Sequence, residues 1–401
     1  MAGLYIHIPF CESRCIYCGF YSTTSLPLRE TYVDALCKEM EMRPLADNLD
    51  SQDHIETIYL GGGTPSLLSK GQLHKIFNGI KKNYLIKEDS TLHTEDNTFK
   101  GMEITMECNP DDVTEEFCIN MQELPVNRIS MGAQTFSDER LHFLHRRHTA
   151  EDVRLAVHRL RNIGIDNISI DLMFGFPNET LDDWQDDIRE ALALHVEHIS
   201  AYSLMYEEGT SLYRKLELGK VQEIEEEVSL NMYNTLCDTL TEEGYEHYEI
   251  SNFARHGYRS RHNSSYWREI PYIGLGAAAH SYKRMENEIS RSWNVDNISK
   301  YIRLIHQGIL PSEKETLDLT TRYNDLITTA LRTSEGIAIA SLRKEFGEEI
   351  CLQFLKEAQH KIQLGLMEEI KGDKGENSVS IRLSKKGIYI SDDIMGDFMI
   401  V

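Results

Sequence analysis

The chain has 401 residues, 41% of them hydrophobic, and carries 65 acidic against 42 basic side chains for a formal net charge of −23. That is enough length and apolar content for one large domain plus a smaller one, while so acidic a surface repels phosphate and argues against a nucleic-acid partner. No apolar run approaches the roughly twenty residues of a membrane helix. The first strand-like segment starts at Gly3, so no leader peptide and no stable membrane insertion are expected, and the expected location is cytoplasmic.

In chain order, β-branched and aromatic segments alternate with helical periodicity. "LYIHIPF" at 4–10 is the first strand, followed by the helix "RETYVDALCKEMEMR". The strand "IETIYLGGG" at 55–63 leads into the helix "KGQLHKIFNGIKKNY", and polar residues at 90–101 predict an exposed loop. "MEITMECNP" at 102–110 and "VNRISMGAQ" at 126–134 are the third and fourth strands. "TAEDVRLAVHRLRNIG" then has the Thr cap, early acids and terminal Gly of a helix. The fifth strand, "ISIDLMFGFP" at 168–177, precedes "TLDDWQDDIREALAL", which opens on another capping pattern. "HISAYSLMYE" at 198–207 is the sixth strand.

Strands alternating with helices imply parallel strands joined by crossover helices. The expected fold class is α/β: a partial (β/α)6 barrel of the TIM type with a small α+β, winged-helix-like C-terminal domain. Its unusual residues fall at the carboxyl ends of the strands, where such barrels keep their chemistry. After about residue 295, "TTRYNDLITTALRTSEGIAIASLRKEFG" and "VSIRLSKKGIYISDDIMGDFMIV" suggest helices packed with a short hairpin. No basic recognition helix is visible there, so a structural or docking role is expected. The expected boundaries are 1–240 for the barrel, 241–295 for a flanking segment and 296–401 for the C-terminal domain.

Residues 11–18 read "CESRCIYC". In a reducing compartment, clustered cysteines more often bind metal or do redox chemistry than form disulfides. Zinc usually takes four ligands from two knuckles, and no second knuckle follows. Cys11, Cys15 and Cys18 suit a 4Fe–4S cluster with one iron open to a non-protein ligand. Cys37, Cys108, Cys118, Cys237 and Cys351 are scattered and expected to be mostly ordinary buried thiols. Gly61, Gly62 and Gly63, followed by Thr64, let a backbone approach a ligand and offer N–H groups to a carboxylate. Glu107, Gln134 and Asp171 on the next strands, with Arg146 beyond the fourth, can surround a zwitterionic, ribose-bearing ligand.

The lead-in "YIHIPFC", "GGGTP", "ECNP", "MGAQTF", the R-R-H segment and "DLMFGFP" together resemble the radical S-adenosylmethionine superfamily, in its coproporphyrinogen dehydrogenase-like branch, over most of residues 3–280. The resemblance implies that Cys11, Cys15 and Cys18 hold a 4Fe–4S cluster whose unique iron binds the amine and carboxylate of S-adenosylmethionine. An electron from that cluster would cleave the sulfonium to an adenosyl radical. It further implies that Tyr5, Gly62, Gly63, Thr64, Glu107, Gln134, Arg146 and Asp171 contact the S-adenosylmethionine. In the oxygen-independent coproporphyrinogen dehydrogenases of this branch, a further cysteine lies two residues after the last cluster ligand, and an N-terminal extension helps enclose the substrate. Here Phe20 stands at that position, and Tyr5 is almost at the terminus.

The segment 261–282, "RHNSSYWREIPYIGLGAAAHSY", contains His262-Asn263-x-x-Tyr266-Trp267, which resembles the motif of HemW-type haem chaperones. A histidine can ligate haem iron, and neighbouring aromatics can bury the porphyrin faces. The expectation is a chaperone that binds haem near His262 and delivers it to acceptor haemoproteins. It would keep a cluster and S-adenosylmethionine site, and family behaviour implies a homodimer when the cluster is present. The alternative is an oxygen-independent coproporphyrinogen III dehydrogenase, or another radical enzyme acting on a tetrapyrrole. His7 and His280 are expected to be buried and hydrogen-bonded, and His145 and His148 to position Arg146.

Overall fold

A computed structural model describes residues 2–44, 49, 54–84, 99–285, 288–371 and 379–400. Most of the loop expected at 90–101 lies outside the described residues. The chain divides into two compact units, Met1–Met232 with Ile270–Glu315, and Tyr233–Glu269 with Thr316–Val401. These limits differ from the boundaries at 240 and 295 expected from sequence.

In the first unit, β1 (Ala2–Ile8), β2 (Ile55–Gly62), β3 (Glu103–Cys108), β4 (Arg128–Gln134), β5 (Asn167–Phe174) and β6 (His198–Ser203) lie side by side in chain order. Each pairs parallel to the next. When sheet order equals chain order and crossovers are right-handed, every connecting helix lies on the same face, so the sheet curls as part of a barrel. The helices are the expected ones: Arg29–Met42, Lys70–Tyr84, Ala150–Asn162 and Leu181–Ala193. Thr149 and Thr180 each close a full capping box, with Asp152 and Asp183 as the reciprocal partners.

Period-two alternation assigns the two faces of the sheet. Leu4, Ile6 and Ile8 are fully buried. The alternate positions, Tyr5 and His7, register with Tyr59 and Gly61 of β2. Across the sheet, Tyr59 registers with Thr105, Glu107 with Ser130, and Ser130 with Ser169. One face is therefore apolar, and the other is a polar inner wall.

On its other edge β1 pairs parallel to the strand Tyr272–Leu275. The sheet continues through the antiparallel ribbon His280–Met285 and Glu288–Asn294. Sequence periodicity did not mark these strands, because the Gly- and Ala-rich turn between them masks the alternation.

In the second unit the helix Leu319–Ala330 is followed by a helical stretch, Ile339–Gln363, that Gly347 breaks at φ 87°. A three-stranded antiparallel sheet follows the order Ile337–Ala338, Val379–Leu383, Met367–Lys371. Tyr323, Ile327, Leu342, Phe354 and Ile381 close its core. This is the helices-plus-hairpin pattern expected of a winged-helix-like domain. Among the described residues no helix is long and apolar enough to cross a membrane.

Candidate functional site

The carboxyl ends of β1 to β5 surround a cleft. Cys11, Cys15, Cys18, Gly62, Gly63, Thr64, Glu107, Gln134, Arg146 and Asp171 all line it. Residues separated by up to 160 positions of sequence thus meet in one place because each follows, or ends, a neighbouring strand.

The cysteine loop leaves β1 at Pro9 and is tied down at several points. Cys11 N donates to the Thr23 carbonyl at 3.0 Å, Ile16 N to Leu144 at 3.2 Å, and Leu212 N to Ile16 at 2.8 Å. Beneath it, Ile16 packs with Leu144, Met173, Phe176, Leu204 and Leu212. The three thiols are free and half-buried. Thr64 Oγ1 donates to Cys11 Sγ at 3.7 Å, and Arg146 Nη1 to Cys15 Sγ at 3.6 Å. Burial raises the Cys11 and Cys18 thiols above their ordinary range. A fourth thiol, Cys108, joins the cleft wall but is buried and directed at the Met106 carbonyl, 4.0 Å away.

The triple glycine is required by packing. A Cβ at Gly62 would lie 2.4 Å from the His7 ring, at a backbone φ of 110°. One at Gly63 would lie 2.7 Å from the Phe10 carbonyl oxygen. Gly62 N donates to Glu107 Oε2 at 2.9 Å and Gly63 N to the Ile8 carbonyl at 2.8 Å. The N–H groups expected to face a ligand are thus already used to join β1, β2 and β3.

Glu107 also accepts from Tyr59 Oη at 2.8 Å. Burial pushes its carboxyl up to about 7, against the hydrogen bonds from Tyr59 and Gly62. Asp171 is pushed up to about 6, again chiefly by burial, with Arg128 and Ser200 pulling down. Gln134 is buried with φ 68° at the end of β4. Arg146 Nη2 donates to the Gly132 carbonyl at 2.7 Å and to Asn109 Oδ1 at 2.8 Å. A Cβ at Gly132 would meet that guanidinium at 3.0 Å. Asn109, Gly132 and Tyr59 were not expected as site residues, although "ECNP" and "MGAQ" contain two of them.

Tyr5 does not line the cleft: its hydroxyl sits 3.0 Å from His7 Nδ1, and its ring stacks on Tyr59. His262 belongs to the second unit, in the helix Arg261–Trp267. It is fully buried, with Nε2 2.9 Å from Tyr266 Oη.

The other histidines divide. His7 is buried and bonded through Nε2 to the Tyr21 carbonyl at 3.1 Å, as expected. His145 lines the cleft, and His148 is buried, 3.0 Å from the Ala133 carbonyl. His280, expected to be buried, is exposed and stacks on Trp293. It opens the ribbon strand opposite Trp293, whose ring covers one face and leaves the rest of the imidazole in solvent.

The chemistry of the donor set fits an iron–sulfur cluster with an open iron. Three thiols share one loop, a guanidinium and a hydroxyl touch two of them, and a polar wall of Glu107, Gln134 and Asp171 stands opposite. Fold and site together define a radical S-adenosylmethionine protein, and the family model described as the Radical SAM superfamily matches residues 5–191. The heme chaperone HemW of Bacillus subtilis is 35% identical over 404 residues, spanning 100% of this chain and 99% of its own. HemW of Synechocystis is 32% identical over 373 residues, 88% of this chain and 86% of its own. Among solved structures, the coproporphyrinogen III oxidase HemN of Escherichia coli superposes with a TM-score of 0.79 at 20% identity, covering 99% of this chain and 89% of that one. The chain belongs to the HemW family of radical S-adenosylmethionine proteins.

Proposed function

We propose that this protein binds haem and delivers it to acceptor haemoproteins, and that Cys11, Cys15 and Cys18 hold a 4Fe–4S cluster beside an S-adenosylmethionine site. The observation that carries the haem reading is the full-length relationship to proteins named as heme chaperones. The likeness to coproporphyrinogen III oxidase supports the fold alone, at 20% identity. Phe20, where those oxidases have a further cysteine, is 73% exposed at the cleft.

When bound, the cluster supplies a single electron and an open iron for the amine and carboxylate of S-adenosylmethionine. The chain's part is to hold and orient. Arg146 and Thr64 donate to ligand thiols, and Glu107, Gln134 and Asp171 offer acceptors to an amine or to ribose hydroxyls. The proposal places the protein in the cytoplasm, where reduced thiols stay available as ligands, and includes a homodimer formed when the cluster is present. The motif around His262 is proposed as haem-binding. Its imidazole must leave Tyr266 to reach iron.

The test is ferric haem titration of the full chain, followed by transfer to an apo-haemoprotein, run beside a coproporphyrinogen III turnover assay. A Soret band with haem transfer and no turnover is expected, and His262→Ala is expected to weaken the band. Robust turnover without transfer would replace this reading with the enzyme. Anaerobic reconstitution should give about four irons per chain, lost in Cys15→Ala.

A further inference from the structure

The outer ribbon of the first unit carries a group that the cluster cleft does not use. His280 opens the strand His280–Met285 directly opposite Trp293, and the two rings stack with centroids 6.2 Å apart at 29°. The imidazole is exposed, and among the described residues no side-chain hydrogen bond reaches it. The exposed histidines His54, His256 and His360 each sit beside a glutamate, whereas His280 has an indole and an arginine as neighbours. Two residues from Trp293 on the same face, Arg291 registers with Tyr282 and pairs with Glu315 at 3.2 Å.

The turn that delivers His280 is tied into a buried hydrogen-bond network. Ala278 lies in the left-handed region at φ 61°, a conformation that persists only where the surroundings enforce it. A buried network does so. Glu39 accepts from Arg43 Nε at 2.9 Å, Tyr301 Oη at 2.6 Å, Asn294 Nδ2 at 2.7 Å and the Gly276 N–H at 2.8 Å. Tyr32 Oη accepts from Ala277 N at 3.0 Å and donates to the His7 carbonyl at 2.7 Å. The same network therefore fixes the end of β1, just before the cysteine loop.

A preorganised, uncommitted imidazole flanked by an indole and an arginine is suited to a planar anionic metal complex. The imidazole lone pair takes the metal, the aromatic excludes water, and the guanidinium takes a carboxylate. Partial desolvation of the ring, whose edge stays exposed, and the Arg291 charge lower the His280 pKa, which favours the neutral ring that can ligate. We propose that His280 is an axial ligand to haem iron, with Trp293 as its flanking wall and Arg291 receiving a propionate. This rests on the haem reading above and adds a site on the barrel unit, distinct from the His262 helix.

The probe is ferric protoporphyrin IX titrated into the full chain, followed by the Soret and visible bands. In a His262→Ala background, His280→Ala is expected to weaken the remaining binding by about tenfold or more and to remove its imidazole-ligated spectrum, which added imidazole restores. His280→Met is expected to keep binding with shifted bands, and Trp293→Leu to weaken affinity while retaining the spectrum. His280 is exposed, so these variants keep the fold, which circular dichroism checks. Identical affinity and bands in His262→Ala with and without His280→Ala overturn the proposal and leave the haem reading standing. No Soret change in wild type overturns the haem reading and this site with it.

Discussion

The guanidinium of Arg146 donates to the thiol of Cys15 at 3.6 Å across 131 positions of chain. The same side chain spans the cleft to the Gly132 carbonyl and Asn109. It is a brace between the cysteine loop and the inner wall as well as a positive charge beside a future thiolate. Arg146→Met leaves two half-buried acceptors without this donor, which costs about 2 kcal/mol. The variant is expected to unfold at lower urea and to take up less iron on anaerobic reconstitution. Full iron uptake at wild-type stability would show that the brace is dispensable.

The carboxyls of Glu107 and Asp171 are raised by burial, to about 7 and about 6. The folded state therefore holds these protons more tightly than the unfolded chain does. Their stabilising contribution is full below the ordinary carboxylate range and is lost as pH rises through 6 to 7. Urea midpoints are expected to fall between pH 5 and pH 7.5, with the Glu107 part of that slope absent in Glu107→Gln. S-adenosylmethionine affinity, which gains from an ionised Glu107, should rise over the same interval in wild type and stay flat in the variant.

Gly63→Ala inserts a Cβ against the backbone oxygens of Phe10 and Ile8, at 2.7 and 2.8 Å. Backbone cannot swing aside as a side chain can, so the loop after β1 must shift. A loss of about 1–3 kcal/mol is expected, together with poorer iron incorporation, since Cys11 follows Phe10 directly. Wild-type thermal stability and iron content would contradict this packing account.

Removing Glu39 leaves the Arg43 charge buried without its carboxylate, with Asn294 Oδ1 still accepting from it at 2.7 Å, because Glu39 is fully buried and Arg43 only 7% exposed. Glu39→Ala is expected to cost about 3–5 kcal/mol, measured by chemical denaturation. Glu39→Gln should cost less, since the amide oxygen still accepts from Gly276 and Tyr301.

Much of the barrel was legible in the sequence. The six strands and their helices follow from local alternation, helical periodicity and the capping threonines at 149 and 180, all set by contiguous residues. The ribbon from 280 to 294 was not, because "GLGAAAHS" has the composition of a buried turn, and only the strand pairing of His280 with Trp293 places the histidine on the ribbon. Tyr5 was assigned to the ligand site by motif, yet its position in β1 gives its hydroxyl to His7.

By itself, the sequence determined that three thiols would share one loop after the first strand, and that polar residues would end the neighbouring strands. Spacing along the chain suffices for that, since a loop's ligands are set by its own few residues. Tertiary structure alone decided which groups are charged, bonded or available. Glu107 owes its raised pKa to burial, which outweighs the hydrogen bonds from Tyr59 and Gly62, and His262 is bonded to Tyr266. The turn before His280 is held by a network that joins Glu39 to Tyr301, 262 positions away. Burial and long-range hydrogen bonds depend on which distant segments pack together, and no local pattern records that.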